Sequence, residues 1–269
     1  MSTTIELLCR AADLTVQLPY ITVGPVSLDV GRGQAVGVMG RSGSGKSTLL
    51  RMLALFITPD GGRLDTRQTT WEFPSRVTTS DLVAHRRRIV YVSQENSLWP
   101  HLTIRQNIAF GPTRVLKLRT DETAIRTKEL LERLELLEVA EKRTWMVSGG
   151  EARRSAVARA LALEPDVILL DEPESGLDPV RAARQMDLIL ATCERVGTGV
   201  IIVSHNPATI FRATSVIHVL HAGSIVESGP TSHVLQYPSH PETQALLAAS
   251  GTTLRSSAGT SEVGEKEVL

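Results

Sequence analysis

Two groups of residues in this chain have the types and spacing for chemistry on phosphate. The first is Gly40-Arg41-Ser42-Gly43-Ser44-Gly45-Lys46-Ser47-Thr48, a G-x-x-x-x-G-K-[ST] pattern. Glycines there let backbone N–H groups turn inward around an anion, where a Cβ would block the wrap. Lys46 is expected to reach the β- and γ-phosphates of a nucleoside triphosphate, and the Ser47 hydroxyl to ligate Mg²⁺. The second is Asp171-Glu172, which ends the apolar run Val167-Ile168-Leu169-Leu170. Asp171 is expected to hold the Mg²⁺, directly or through water, and Glu172 to polarise a water beside the γ-phosphate. Each group alone has an ordinary explanation, a Gly/Ser-rich turn before a lysine or an exposed acidic turn. Together they point to ATP or GTP.

Such residues need an α/β scaffold to hold them. Val36, Val38 and Met39 before Gly40 read as a strand over Gln34–Met39. Ser47 to about Phe56 reads as the following helix, stopped by Thr58-Pro59-Asp60-Gly61-Gly62. That helix N-terminus favours negative charge. Val167–Leu170 and Val200–Val203 are wholly apolar, the pattern of strands buried on both faces of a parallel sheet. A helix from about Pro179 to Val196 separates them, and Ile89–Ser93 is another apolar strand ending at Gln94. Residues 5–30 alternate apolar and polar and read as antiparallel strands. Residues 63–88 read as strands and loop at the edge of the core, closing on His85-Arg86-Arg87-Arg88 as a solvated face. Residues 121–142 carry Ile125, Leu130, Leu131, Leu134, Leu137 and Val139 at helical spacing. Ser148 opens a second helix through Ala162, with Glu151 at capping-box distance. Ile217–Leu220 and Ser224–Glu227 form a hairpin, residues 241–249 a short helix, and the Ser/Thr/Gly/Glu-rich stretch from Gly251 is expected to be disordered.

Composition narrows the classes. The chain has 269 residues, 42% of them apolar and 22% charged, ordinary for a globular protein. Lys+Arg and Asp+Glu balance at 29 each, so net charge gives no case for nucleic acid or an anionic membrane surface. No apolar run reaches the roughly 18 residues a membrane helix needs. The first residues, MSTTIELLCRAADL, lack the basic and apolar regions of a signal peptide, and none is expected. Cys9 and Cys193 are far apart and read as free buried thiols.

Over roughly residues 10–230 the chain resembles the ATP-binding-cassette ATPases. Ser148-Gly149-Gly150-Glu151 is similar to that family's signature, continued by Arg154 and Ala158-Arg159-Ala160-Leu161. Gln94 stands where the family has its Q-loop glutamine, Ser175-Gly176-Leu177-Asp178 matches the D-loop, and His205 the switch histidine. The resemblance implies an α/β fold: a P-loop NTPase core with a mixed, largely parallel sheet, an N-terminal antiparallel β-subdomain and an inserted helical subdomain at about 95–165. It implies one nucleotide-binding unit over residues 1–250. It also implies two cassettes packed head to tail. ATP would be clamped between the Gly40–Thr48 loop of one chain and Ser148, Gly149, Gly150 and Glu151 of the other, with Asp178 beside them. Gln94 would contact the metal or the attacking water, and His205 the γ-phosphate. Tyr20 is the candidate to stack on adenine, although it lies closer to Lys46 than is usual. Glu151 replaces the commoner Gln, Val147 a Leu, and Asn206 an Asp. None of these removes a catalytic group, so an active ATPase is expected.

By the same resemblance the chain is a separate ATP-binding subunit, peripheral on the cytoplasmic face of the inner membrane. Its expected partners are a second cassette, identical or closely similar, and transmembrane permease subunits, with no nucleic acid. Pro100–Pro112 looks like importers of small polar solutes, especially amino acids. Ser239–Leu247 looks like the oligopeptide or nickel importer group, and a solute-binding protein is a further expected partner. Gln94–Val147 is the region that receives the membrane partner, and Trp99 within it reads equally as docking surface or core. The alternatives are an exporter or lipid-moving system, or a soluble cassette ATPase of DNA repair or translation. Relatives of the last kind carry two cassettes, a long coiled coil or zinc cysteines, none of which is evident here.

Overall fold

The wholly apolar runs become the middle of a six-stranded sheet in the computed structural model, which describes residues 6–95 and 98–249. Its strands are β3 (Ala35–Met39), β6 (Ile89–Val92), β7 (Val167–Asp171), β8 (Gly199–Ser204), β9 (Val216–His221) and β10 (Ser224–Pro230). Their order is β10-β9-β3-β8-β7-β6. All neighbours run parallel except β9 and β10, which form the expected hairpin. Every residue of β7 and β8 is buried, as a parallel sheet covered on both faces requires. Residues in β7 split with period two: Val167 and Leu169 belong to one core, Ile168 and Leu170 to another.

The first core lies under a second, antiparallel sheet. Strands β1 (Leu7–Gln17), β2 (Thr22–Gly31), β4 (Gly61–Thr66) and β5 (Thr70–Phe73) are ordered β2-β1-β4-β5. Helix α1 (Lys46–Leu53) sits between the sheets, with Leu49, Leu50, Met52 and Leu53 fully buried among Leu14, Val26, Val36 and Val203. The second core lies under a helical layer. It includes α3 (Ile104–Arg114), α4 (Thr120–Arg133), α5 (Gly149–Leu161), α6 (Pro179–Val196) and α7 (Pro207–Ala213). Helices α8 (Thr231–Gln236) and α9 (Pro241–Ala249) complete the chain as described. The stretch from Gly251 lies outside the described residues.

Three expectations need correction. Residues 79–88 form a helix, α2 (Thr79–Arg88), started by a reciprocal capping box between Thr78 and Asp81. The basic run in its last turn is no simple solvated face: His85 is buried, and its Nε2 lies 2.7 Å from Leu53 O. Arg86 donates to Leu55 O at 2.6 Å and lies over the Phe56 ring. Leu53 O is the last carbonyl of α1 and has no helical partner of its own, and Leu55 O lies in the turn just after it. The helix expected over 121–142 stops at Arg133; Glu135 takes a φ of 52°, and a short 3₁₀ turn follows at Leu137–Val139. Ile125, within α4, and Leu137, in that 3₁₀ turn, are both exposed. Three helices, α3, α7 and α8, went unread in the sequence. Trp99 is half-buried, its ring 4.4 Å from Phe110 with the Arg159 guanidinium 4.7 Å away, so it packs within the helical layer. Cys9 and Cys193 are free and buried as expected.

Candidate functional site

The phosphate-type loop is built by close approach. A Cβ on Gly40 would sit 2.3 Å from Leu220 O of β9, so only glycine fits where β3 ends. Gly45, at φ 104°, turns the chain into α1. Lys46 is 6% exposed, and its Nζ donates to Gly40 O and Arg41 O, both at 2.8 Å. Burial lowers its pKa, and the charges of Glu172 and Asp171 oppose that fall. The hydroxyl of Ser44 is buried without a hydrogen-bond partner, an unmet polar group inside the loop.

The carboxylates stand at the C-terminal end of β7, one strand beyond β8 from the loop. Asp171 is buried and accepts a 2.7 Å bond from the Tyr91 hydroxyl. Burial and then Asp171 itself push the Tyr91 phenol up to about 12, so it stays a donor. Glu172 has a φ of 46°, in the left-handed region, and its N–H donates to Val203 O at 2.9 Å. That turn brings Glu172 Oε1 to 3.0 Å from His205 Nδ1 at the end of β8. Glu174 is buried against the Ser204 hydroxyl, and burial raises its pKa.

Gln94 follows β6. Its Nε2 donates to Ser175 Oγ at 3.0 Å, which leaves its carbonyl oxygen unengaged by that bond. The backbone on either side is held by Arg153 of α5, which is 4% exposed and donates to Ser93 O at 2.7 Å and Gln94 O at 2.6 Å. Ser47, Asp171 and Gln94 offer oxygen atoms, the donor set that suits Mg²⁺.

Lys46, Asp171, Glu172 and His205 therefore share one region. Arg41, Ser42, Glu172 and His205 line a cleft there of about 590 Å³. The Ser148–Glu151 segment lies elsewhere. Ser148 caps α5 with both capping-box bonds formed, its N–H to Glu151 Oε2 being 2.7 Å long. Ser148, Gly149, Gly150 and Glu151 line a different cleft, of about 420 Å³, with Leu177 and Arg184. Asp178 caps α6 by accepting from Arg181 N–H at 3.0 Å. Tyr20 is wholly exposed in the turn between β1 and β2.

Sequence reasoning passed over Tyr91, Arg153 and Glu174. The first lies inside a strand read only for its apolar pattern, and the second inside a helix read for its cap. Glu174 sits between two residues that were read, and nothing in its spacing predicts burial.

The family model described as ABC transporter matches residues 23–175. The chain is 36% identical over 221 residues to the arginine transport ATP-binding protein ArtP of Escherichia coli K12, covering 82% of this chain and 89% of that protein. It is 34% identical over 228 residues to the methionine import ATP-binding protein MetN of Xanthomonas campestris pv. campestris, covering 85% of this chain and 67% of that one. Among solved structures, cbiO1 from Clostridium perfringens, part of the ABC transporter complex cbiONQ, superposes with a TM-score of 0.77 at 26% identity, covering 85% of this chain and 90% of that one. The ATP-binding cassette MJ0796, solved as a post-hydrolysis dimer bound to ADP and Pi, gives 0.71 at 27% identity over 83% of this chain and 99% of its own. On this family match and these identities, the chain belongs to the ABC transporter family, as one of its ATP-binding cassette ATPases.

Proposed function

We propose that this ATPase energises the import of a small polar solute, working as one of a pair of cassettes beneath transmembrane permease subunits. The observation that carries the paired reading is the separation, within one chain, of the Glu172–His205 cleft from the cleft lined by Ser148–Glu151. The latter lies at the N-terminus of α5, the end of a helix that favours anions, apart from the Arg41–Ser42 loop. A second copy packed head to tail would bring it to the γ-phosphate held by Gly40–Thr48. The arginine and methionine transport functions named for ArtP and MetN support a small polar solute. A solute-binding protein would deliver it.

In this reading the loop N–H groups and Lys46 hold the phosphates, and Ser47, Asp171 and Gln94 would hold Mg²⁺. The metal would supply positive charge that offsets the charge on the phosphates during hydrolysis. Glu172 takes a proton from the attacking water, and His205 orients Glu172 and contacts the γ-phosphate. Tyr20 is free to stack on adenine. Residues 1–250 act as one unit, and the helical portion at 95–165 meets the membrane subunits. Among the described residues no helix is long and apolar enough to cross a membrane. Attachment at the cytoplasmic face of the inner membrane would accordingly run through those subunits. Affinity purification of the tagged chain from its own cells tests this. A polytopic membrane protein should co-purify; reproducible recovery with ribosomes or DNA instead would overturn the transport reading.

A further inference from the structure

The C-terminal helix is tied to the phosphate loop. Glu242, in the first turn of α9, has a side chain only 11% exposed. Its Oε1 lies 2.7 Å from Arg41 Nε, and its Oε2 3.4 Å from His221 Nδ1 at the end of β9. Arg41 is the residue after Gly40, and its own carbonyl accepts from Lys46. Among the described residues no donor meets Glu242 Oε1 at a hydrogen-bonding angle, so the contact with Arg41 is one of charge. The segment entering α9 is anchored independently. Glu227 of β10 accepts from Ser239 N–H at 2.8 Å, Ser239 Oγ at 2.7 Å and His240 N–H at 3.1 Å. Leu246 and Ala249, further along α9, line the same cleft as Glu172 and His205.

We propose that Glu242 is a positioning residue for Arg41: it holds the guanidinium against α9 and away from the phosphate chain of the nucleotide. The inference rests on the nucleotide site proposed above. Its physics is local. A carboxylate beside a loop that binds a polyanion opposes that binding by its charge, and opposes it further where it engages a cation that would otherwise join the site. Here the cation is Arg41, whose guanidinium otherwise suits phosphate oxygens well. The anchor at Glu227 keeps α9 in place whether or not Arg41 is engaged. Releasing Arg41 therefore adds a phosphate ligand without unseating the helix.

The test is equilibrium binding of a fluorescent ATP analogue with Mg²⁺ to the purified full chain, at low and high salt. Glu242→Gln should tighten binding about three- to tenfold at low salt, the gain shrinking as salt screens it. At high salt, where repulsion by the bare carboxylate is screened, the same substitution in an Arg41→Gln background should change affinity less than about twofold, because nothing is left to release. Glu242→Asp should restore wild-type affinity in large part, and Glu242→Thr carries the same comparison if the glutamine variant is unstable. Equal tightening in both backgrounds at high salt, or weaker binding by the folded Glu242 variants, would overturn the proposal while leaving the nucleotide site intact. No binding by the wild-type chain would overturn both.

Discussion

His205 Nδ1 lies 3.0 Å from Glu172 Oε1, joining the ends of the neighbouring parallel strands β8 and β7. The contact depends on two local features. Glu172 is in the left-handed region, a conformation that costs a non-glycine residue on the order of 1 kcal/mol. Its N–H bond to Val203 O then fixes that turn against β8. The carboxylate proposed as base is thus oriented from two sides. Glu172→Gln keeps the shape and removes the proton acceptor. ATP binding is expected to persist, with turnover reduced at least about 100-fold and an ATP-bound dimer accumulating in size-exclusion chromatography. Near-normal turnover would remove Glu172 from the role.

The second cleft makes a different demand. Ser148→Arg places a large cation at the start of α5, where the helix N-terminus already disfavours positive charge. Hydrolysis should be abolished, while nucleotide binding by the isolated chain stays within about threefold of wild type. Loss of binding by the single chain would contradict a site shared between two copies.

Arg153 reaches from α5 to the backbone carbonyls of Ser93 and Gln94, which makes it the brace of the Gln94 segment. Arg153→Leu removes both charged donors and strands two carbonyls. A loss of about 3 kcal/mol in urea unfolding is expected, from bonds to a charged donor worth roughly 1.5–3 kcal/mol each less the apolar packing regained. Hydrolysis should fall more than ATP binding, since Gln94 is freed while the phosphate loop is untouched. Unchanged unfolding midpoint and turnover would show that the Gln94 segment needs no such support.

His85 gives a pH dependence with a definite sign. Burial holds its pKa below the ordinary value of 6.5, and its bond to Leu53 O opposes that fall only in part. Below pH 6.5 the unfolded chain takes up a proton that the folded chain refuses. This histidine's share of stability is therefore complete above that pH. It is lost as pH falls toward the folded pKa, by at most about 1.4 kcal/mol per pH unit. His218, half-buried and with its pKa also lowered by desolvation, adds in the same direction. The His85→Gln variant should show a shallower decline between about pH 7 and 5 in thermal or urea unfolding. Parallel curves for the two proteins would mean that His85 titrates alike in both states.

Several readings were local enough to be made from the sequence. The run Val167–Leu170 predicts a strand buried on both faces because a parallel sheet covered twice leaves no polar side, and β7 is buried at every position. Ser148 and Glu151 predict a helix start because both bonds of the box close within four residues, and both are formed. The same pairing at Thr78–Asp81 and at Thr103–Gln106 opens α2 and α3. Helix α4 ended early because a single left-handed residue, Glu135, outweighed a continuing apolar period.

What the sequence alone determined is the chemistry that neighbouring residues complete among themselves: the loop Gly40–Thr48, the strand-end pair Asp171-Glu172 and the capped turn at Ser148. Backbone conformation and short-range hydrogen bonds decide these, and both are set by residue type at fixed spacing. Tertiary structure alone decided which distant side chains serve them. Arg153 and Gln94 are 59 positions apart, and Tyr91 and Asp171 80. Arg41 follows the third strand, and Glu242 lies in the last described helix. A guanidinium or hydroxyl takes whichever acceptor packing brings within about 3 Å, and no spacing along the chain records that choice.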